Sequence, residues 1–397
     1  MGRTLLALIA IGFIARIIIT LVGFGSNDMR TWHEFANTIT GNGLLYMYQN
    51  VPWFNHPPLM GYYAASILHL SQAWGIDFYI LFKLPMVMVD GALTCLIFVI
   101  RTKTKGSRDA MFAAAFYALN LTAILVSAYH GNTDTLCAAG WLLSAWLLTI
   151  SHDFSAGLAL AAAINVKLIP VLAIPVMLAG YTQRRRAIRF VAGLSCGVIP
   201  FVPVLWSAFD GFISNALKYN SVLEFWGFEL LALQSMEGGL VLRPIATKFS
   251  LFYYENGRYM IFITIGAAAI WARYFSRHTL ASAVMVPAIF LVFTPGWGAQ
   301  YMIYMAPLLA AWQPTEGLRY GSLAGLFIGL TYFSFWTGGI PAFSFFIARR
   351  VPMPAQLIGF LTWLYLIQLV WKTMSIPLRE ASSRRIYGKT GVGTECD

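Results

Sequence analysis

The chain has 397 residues and a net charge of +11, with 58% hydrophobic and only 11% charged residues. Because soluble domains carry roughly 25% charged residues, this composition excludes an ordinary water-soluble fold. The apolar residues form blocks of about 15–20, which are long enough to cross a hydrocarbon core of roughly 30 Å. Alternating ten-residue segments typical of a transmembrane β-barrel are absent. The sequence therefore predicts an all-α, polytopic membrane protein.

The positive charge is distributed in short clusters between the apolar blocks. This placement is the positive-inside pattern of membrane proteins, so we interpret it as a topology signal and predict no nucleic-acid partner. Three of the four cysteines lie in apolar blocks and one near the C-terminus, which predicts no disulfide framework.

The first two spans set the predicted orientation. Leu5–Val22 follows a single arginine, which predicts a cytoplasmic N-terminus. The next span, Leu84–Ile100, ends at the basic cluster Arg101–Arg108, which we place inside as well. Residues 24–83 then form the first external segment. Its apolar stretch Leu59–Leu70 is interpreted as an interfacial helix rather than a span.

The remaining spans follow from the same pattern of charges. Residues 156–179 are flanked by cytoplasmic signals on both sides, which predicts a short helical hairpin with its tip near Asn165–Pro170. Residues 206–258 form a second external segment and 373–397 a cytoplasmic tail. Further spans are predicted at Ala110–Ser127, Thr135–Ile150, Ile188–Leu205, Tyr259–Trp271, Leu280–Phe293, Tyr301–Trp312, Leu323–Trp336 and Leu357–Trp371. The prediction is one domain, 1–397, with about twelve membrane helices.

Most acidic residues and four of the histidines map to the predicted external side, so the polar chemistry is expected to face away from the cytoplasm. Asp90 is the exception because it lies within a span. A carboxylate at that depth marks either a functional site or a hydrogen bond between helices, and the second interpretation is favoured.

Several external side chains are of the types that bind metal ions. Their spacing matches no recognised metal motif, so a metal site and ordinary loop polarity both remain open. Asp28 stands apart because it directly follows the first span, at the membrane face. The set is Asp28, His33, Glu34, His56, His130 and Asp134.

Four motifs in fixed order carry a resemblance to a known family. They are Ser26–Trp32 followed by Asn55–Leu59, then Tyr129–Asp134, then Asn165–Pro170, and then Gly298–Tyr301 running to Pro307. In this order they resemble the GT-C superfamily of integral-membrane glycosyltransferases, and most closely the branch that uses polyprenyl-phosphate sugars. The resemblance covers most of residues 1–310.

The resemblance implies roles for particular residues. Asp28 corresponds to the catalytic base, and His56 occupies an aromatic position before Pro57-Pro58. His130 and Asp134 match a His-Gly-x-x-Asp element, and Lys167 matches a Lys-x-x-Pro element. The predicted substrate-binding residues are Arg30, His56, His130, Asp134, Lys167, Gln300 and Tyr301.

The chemistry of such a donor suits these residues. Its leaving group is already a phosphate, so the reaction needs one base for the acceptor hydroxyl and cations for the phosphate. Direct displacement inverts the anomeric configuration. Arg30 is expected to favour the carboxylate form of Asp28. Lys167 either binds the phosphate or extends to the membrane interface.

The predicted function is therefore transfer of a hexose to an acceptor hydroxyl on the external face of a bacterial plasma membrane. The expected partners are the lipid-linked donor, a glycan or glycolipid acceptor, and membrane lipids. No cofactor is assigned, and a divalent ion bound by Asp28 and Asp134 is left open. The alternatives are a lipid-linked glycan polymerase or ligase, and a transporter, which would be expected to show paired halves.

Overall fold

The computed structural model describes residues 2–217, 226–228, 243–275, 279–334 and 351–387. Every regular element within these ranges is helical, which confirms the all-α fold class. The helices are α1 (Gly2–Val22), α2 (Asn27–Asn42), α3 (Leu44–Asn50), α4 (Pro58–Trp74), α5 (Phe78–Lys105), α6 (Ser107–Ala118), α7 (Leu121–Ile124), α8 (Asp134–Thr149), α9 (Asp153–Val166), α10 (Ala173–Ala179), α11 (Arg184–Gly197), α12 (Val202–Ser207), α13 (Phe209–Phe212), α14 (Arg243–Phe275), α15 (Thr279–Phe293), α16 (Met305–Trp312), α17 (Pro314–Ser334) and α18 (Met353–Tyr387). Tighter 3-10 turns cover Ile169–Leu172, Ile199–Phe201 and Ala299–Tyr304, and π-helical turns cover Leu125–His130 and Ile213–Leu217.

Three helices in the described ranges are long and apolar enough to cross a membrane: α1, α5 and the Met353–Ser375 part of α18. Two bent pairs, each with an angle of 42°, raise the number to five if each pair is one span. They are α6 with the segment 121–130, and α11 with the segment 199–207. These lengths and compositions are compatible with an integral membrane protein. The count of about twelve membrane helices stays a prediction.

The structure differs from the predicted boundaries at several helices, and most at the start of α14, the end of α18 and the start of α17, which is Pro314 rather than the predicted Leu323. The helix α14 begins at Arg243, well before the predicted start of the span at Tyr259. Charged side chains interrupt the apolar pattern there but do not interrupt the helix, so hydropathy alone places its start too late. The helix α18 likewise extends to Tyr387, into the predicted tail. Much of the second external segment, 218–225 and 229–242, lies outside the described residues.

The predicted reversal between Asn165 and Pro170 is present. The helix α9 ends at Val166, and the chain returns through a 3-10 turn and α10. Both ends of this excursion meet, because Arg186 at the start of α11 donates to Asp153 at the start of α9 over 2.9 and 3.0 Å. Tyr181 donates to the same carboxylate over 3.0 Å. These bonds close the base of the excursion, and Lys167 lies at its other end, directly after α9.

The helix α5 packs against α1, α6 and α8. Near its middle, Asp90 accepts hydrogen bonds from Arg16 Nε on α1 (2.8 Å) and from Tyr117 Oη on α6 (2.7 Å). Arg16 also donates to the carbonyl oxygen of Ala118 over 2.7 Å. Three helices are thereby joined around one buried carboxylate. This supports the interpretation of Asp90 as a hydrogen-bonding partner between helices.

Candidate active site

Asp28 lies in the first turn of α2, directly after the loop that follows α1. Ser26 is the N-cap of α2: its hydroxyl accepts from the backbone N–H of Asp28 (3.3 Å) and donates to the carbonyl oxygen of His130 (3.1 Å). Gly25 has a φ of +111°, a conformation that favours glycine. The tight loop and the cap therefore set the position of Asp28 at a helix N-terminus, which favours a carboxylate.

One oxygen of Asp28 receives both of its side-chain donors. Asn132 Nδ2 lies 2.7 Å from Oδ2, and His130 Nε2 lies 3.0 Å from the same atom. The amide of Asn132 is itself held, because its Oδ1 accepts from the backbone N–H of Thr133 over 2.7 Å. No described residue donates to Oδ1 of Asp28, and 44% of the side chain is exposed. One face of the carboxylate is thus fixed and the other is open.

The surroundings keep Asp28 ionised. Burial on its own would raise the pKa of this carboxyl, but the charge and hydrogen bond of His130 and the charge of Lys167 act in the opposite direction, as does the charge of His56 once it is protonated at low pH. The net effect lowers the pKa of Asp28 to about 2. The neighbours that favour the carboxylate therefore include His130 and Lys167, whereas Arg30 is not among them.

His130 is brought to Asp28 by an irregular helix. A π-helical turn covers Leu125–His130, and such turns occur frequently at functional sites. Gly131 follows with a φ of +72°, and a Cβ atom at this position would overlap Met29 Sδ. Only glycine therefore allows the 130–132 loop to pack this closely on α2. This packing explains the glycine between the two residues that donate to Asp28.

Lys167 and Asp134 form a second polar group beside the first. Lys167 Nζ lies 3.1 Å from Asp134 Oδ2 and 5.2 Å from the centre of the Tyr301 ring. Tyr304 donates its hydroxyl to the other oxygen of Asp134. Asp134 has no exposed side-chain surface, whereas 13% of Lys167 is exposed. Asp134 therefore anchors Lys167 from behind and partly neutralises its charge.

These groups border a cavity of about 480 Å³. The charged and polar side chains in its wall include Asp28, Lys167, Gln300, Tyr301 and Arg258 of α14. The neighbouring Gly257 packs against Pro295, which brings this part of α14 against the cavity wall. The wall also includes Thr31, Trp32, Trp53, Asn55, His56, Asn132 and Thr294.

His56 is packed as an aromatic side chain would be. Its ring centre lies 4.2 Å from that of Trp32, and its carbonyl oxygen accepts from the hydroxyl of Tyr48 over 2.6 Å. Burial, helped by the charge of Lys167 and opposed by that of Asp28, lowers the pKa of His56 to about 3. The imidazole is thus neutral at physiological pH. This packing accounts for a histidine at the position where the resemblance implies an aromatic residue.

The profile of glycosyltransferase family 87 matches residues 53–295, which is more than half of the chain. The chain belongs to this family. Family 87 is of the GT-C type, so the resemblance read from the four motifs is confirmed. A comparison with curated individual proteins gives no significant match. Membership establishes a glycosyltransferase that acts on a sugar donor and an acceptor.

In this family 87 protein, the predicted site residues fall into three groups by their position relative to the cavity. Asp28, His56, Lys167, Gln300 and Tyr301 line the cavity directly. His130 and Asp134 lie behind this layer and hold Asp28 and Lys167. Arg30 is outside the cavity wall, with its guanidinium over the Phe24 ring at 5.3 Å.

Sequence reasoning did not assign Asn132 or Arg258. Asn132 stood within the Tyr129–Asp134 motif, and its position between two assigned residues was a usable signal. Arg258 had a weaker signal, as an isolated arginine just before an apolar run. Only the folded chain brings it to the cavity that Asp28 also lines, because the two residues belong to α14 and α2.

A divalent-ion site joining Asp28 and Asp134 does not fit the donor atoms. Both oxygens of Asp134 face Lys167 and Tyr304, and its side chain has no exposed surface. Within the described ranges no three His, Cys, Asp or Glu side chains converge as ligands would. We therefore derive no step of the reaction through a metal ion.

Proposed function

We propose that this family 87 enzyme transfers a hexose from a polyprenyl-phosphate donor to an acceptor hydroxyl, with Asp28 as the base and with inversion at the anomeric carbon. The observation that carries the proposal is the open oxygen of Asp28 in a cavity that also contains two cationic side chains. A base and a phosphate-binding surface then face the same space. A base and a phosphate-binding surface are the minimum that displacement of a phosphate leaving group requires.

The two oxygens of Asp28 have different roles, because its side-chain hydrogen bonds involve only one of them. His130 and Asn132 hold Oδ2, which leaves Oδ1 to accept the proton of the acceptor hydroxyl. As that proton moves, the acceptor oxygen bonds to the anomeric carbon, and the bond from this carbon to the phosphate oxygen breaks. The electron pair leaves with the phosphate. A bound phosphate also offsets the positive charges around Asp28, which raises its pKa towards that of a better base.

Arg258 and Lys167 together suit the leaving phosphate. Lys167 is partly neutralised by Asp134, whereas no described carboxylate forms an ion pair with Arg258. The uncompensated positive charge in the cavity wall thus comes mainly from Arg258. Lys167 and Gln300 add further N–H donors to the wall of the same cavity. We propose that the phosphate lies between these groups.

The distribution of charge along α5 supports an extracytoplasmic site in a bacterial plasma membrane. Lys83, near the beginning of α5, contacts the end of α1 that precedes Asp28. Arg101 lies 18 residues further along, about 27 Å at 1.5 Å per residue, and begins the basic cluster. If the basic end is cytoplasmic, Asp28 lies at the outer end of α5. The twelve-helix topology proposed from the sequence gives the same sidedness.

The test uses the purified full chain in lipid nanodiscs. It is supplied with labelled polyprenyl-phosphate glucose, mannose or galactose, or with the matching nucleotide sugars, and with a total glycolipid extract as acceptor. We expect label to move from a lipid-linked sugar only, polyprenyl phosphate to appear, and the product to be inverted. Asp28→Asn should stop both events.

Three outcomes would contradict parts of the proposal. Transfer from nucleotide sugars alone would remove the donor assignment. Transfer of a preformed glycan from a polyprenyl diphosphate would favour the polymerase or ligase alternative. Loss of activity with a chelator, restored by Mg²⁺, would make Asp28 a candidate ligand rather than the base.

A further inference from the structure

Lys83 of α5 is a fully buried lysine with no exposed surface. Its ammonium donates to the carbonyl oxygen of Gly23 over 2.6 Å and to that of Thr20 over 3.0 Å. These carbonyls lie at the end of α1, where the backbone acceptors lack helical partners. Lys83 therefore acts as a side-chain cap for α1, supplied from a different helix.

The charge of Lys83 is not balanced by an ion pair. No described carboxylate lies within ion-pairing distance of its Nζ, in contrast to Arg16 on the same α1–α5 contact, which pairs with Asp90. Burying an ammonium without a carboxylate is costly. The negative end of the α1 dipole and the two carbonyls offset that cost only if the end of α1 stays where it is. The interaction is thus specific for one position of α1.

That position determines the geometry of the active site. Gly23 precedes Asp28 through one short loop, so the cap fixes the start of that loop. The aliphatic part of Lys83 also underlies the second loop of the site: a Cβ atom on Gly131 would lie 3.1 Å from Lys83 Cγ. His130 and Asn132 flank Gly131 and donate to Asp28. One side chain therefore supports both loops that meet at the carboxylate.

We propose that Lys83 is a positioning residue, which holds the end of α1 and the 130–132 loop so that Asp28 faces the acceptor hydroxyl. This inference rests on the proposed function, since it assumes that Asp28 is the base. Lys83 has no exposed surface and does not line the cavity, so it acts through Asp28 rather than on a substrate.

The test is Lys83→Met, which keeps the length of the side chain and removes its donors. A misplacement of about 1 Å in an active site costs roughly 10²-fold in rate, so we expect kcat to fall by about 10- to 100-fold. The KM for the lipid-linked donor should change by less than about twofold, because the phosphate-binding side chains are not supported by Lys83. If the methionine variant does not fold, Lys83→Gln keeps an N–H donor and should show a smaller loss of kcat.

The matched control is the double variant Arg16→Met, Asp90→Asn. It removes the other polar link between α1 and α5 without leaving a buried charge, and it lies away from the cavity. It should lower the midpoint of thermal unfolding while leaving kcat close to wild type. An equal loss of kcat in the control would mean that α1–α5 stability, rather than positioning, is what Lys83 supplies.

A double-mutant cycle separates this inference from the proposed function. If Lys83 acts through Asp28, then Lys83→Met should cost nothing further in an Asp28→Asn background. Full additivity of the two losses would overturn the inference. Normal turnover by Asp28→Asn alone would overturn the proposed function. A defective Asp28→Asn beside a normal Lys83→Met would overturn only the role of Lys83.

Discussion

Asp28 and Asp90 are both held by side chains from other parts of the fold, but their oxygens are used differently. Asp90 is 1% exposed, with one oxygen bonded to Tyr117 and the other to Arg16. Asp28 is half-exposed, and both of its side-chain donors, His130 and Asn132, are on a single oxygen. Both oxygens of Asp90 thus have a donor, whereas one oxygen of Asp28 has none among the described residues.

The difference separates a structural role from a chemical one. A carboxylate that is buried, with a donor at each oxygen, joins helices and is closed to a substrate. A carboxylate fixed through one oxygen is positioned as precisely, yet it can still accept a proton with the other. Asp134 belongs with Asp90 by this criterion, since both of its oxygens face donors and it has no exposed surface.

The largest expected effect comes from exchanging each carboxylate for its amide. Asp28→Asn keeps the shape and removes the basicity, so turnover should fall by about 10²-fold or more while donor affinity is nearly retained. Asp90→Asn should leave turnover within about threefold of wild type and lower the midpoint of thermal unfolding instead, because it leaves the buried charge of Arg16 without its carboxylate partner. Steady-state kinetics and thermal unfolding of both variants decide this.

If Asp90→Asn lost turnover and Asp28→Asn lost only thermal stability, the distinction between the two carboxylates would be wrong. Asp134→Asn is the further control, as the other acid that the motifs place at this end of the bundle. Loss of turnover in Asp134→Asn with activity retained in Asp28→Asn would mean that the base had been assigned to the wrong carboxylate.

The sequence was sufficient for much of the fold but not for its irregular parts. Uninterrupted apolar blocks predicted α1 and α5 because burial in a membrane requires such blocks. The bends of 42° between α6 and the segment 121–130, and between α11 and the segment 199–207, were not predicted, since the hydropathy of a segment does not report the direction of its backbone. The early start of α14 was missed for a related reason, as its first turns are polar.

The candidate site shows a similar limit. Motifs identified Asp28 and Lys167, but adjacency in sequence was misleading for Arg30. Residues two apart on a helix do not face each other, so Arg30 of α2 points to Phe24 rather than to the partners of Asp28. Arg258 is far from Asp28 in sequence and reaches the cavity only by tertiary packing. Contacts of that kind leave no local pattern.

Arg258 and Arg30 allow a test of whether the cavity binds the phosphate of the donor. Arg258→Gln removes the uncompensated cation of the cavity and should raise the apparent KM for the lipid-linked donor by about tenfold, the value of a charge-assisted hydrogen bond of about 1.4 kcal/mol. Arg30→Gln removes an arginine outside the cavity and should leave this KM unchanged. Equal effects of the two substitutions would indicate a general surface potential instead of a phosphate site.

The smallest expected effect is on the pH dependence of stability, and it comes from His56 in the cavity wall beside Asp28. The pKa of His56 is lowered to about 3 in the folded chain, whereas the ordinary value is 6.5. Between these values the unfolded chain binds a proton that the folded chain does not, so stability is lost as the pH falls from 6.5 towards 3. Asp28 contributes mainly below pH 4, because its pKa is lowered from 3.8 to about 2. His56→Phe keeps an aromatic ring on Trp32, 4.2 Å away in the native chain, and removes the titrating group. We therefore expect the midpoint of thermal unfolding of His56→Phe to fall less steeply than that of wild type between pH 6.5 and 4.

His56→Leu removes the stacking as well, so it should show the same shallow pH dependence at a lower midpoint throughout. Parallel curves for wild type and both variants would mean that His56 is not held neutral, and would remove the aromatic role assigned to it.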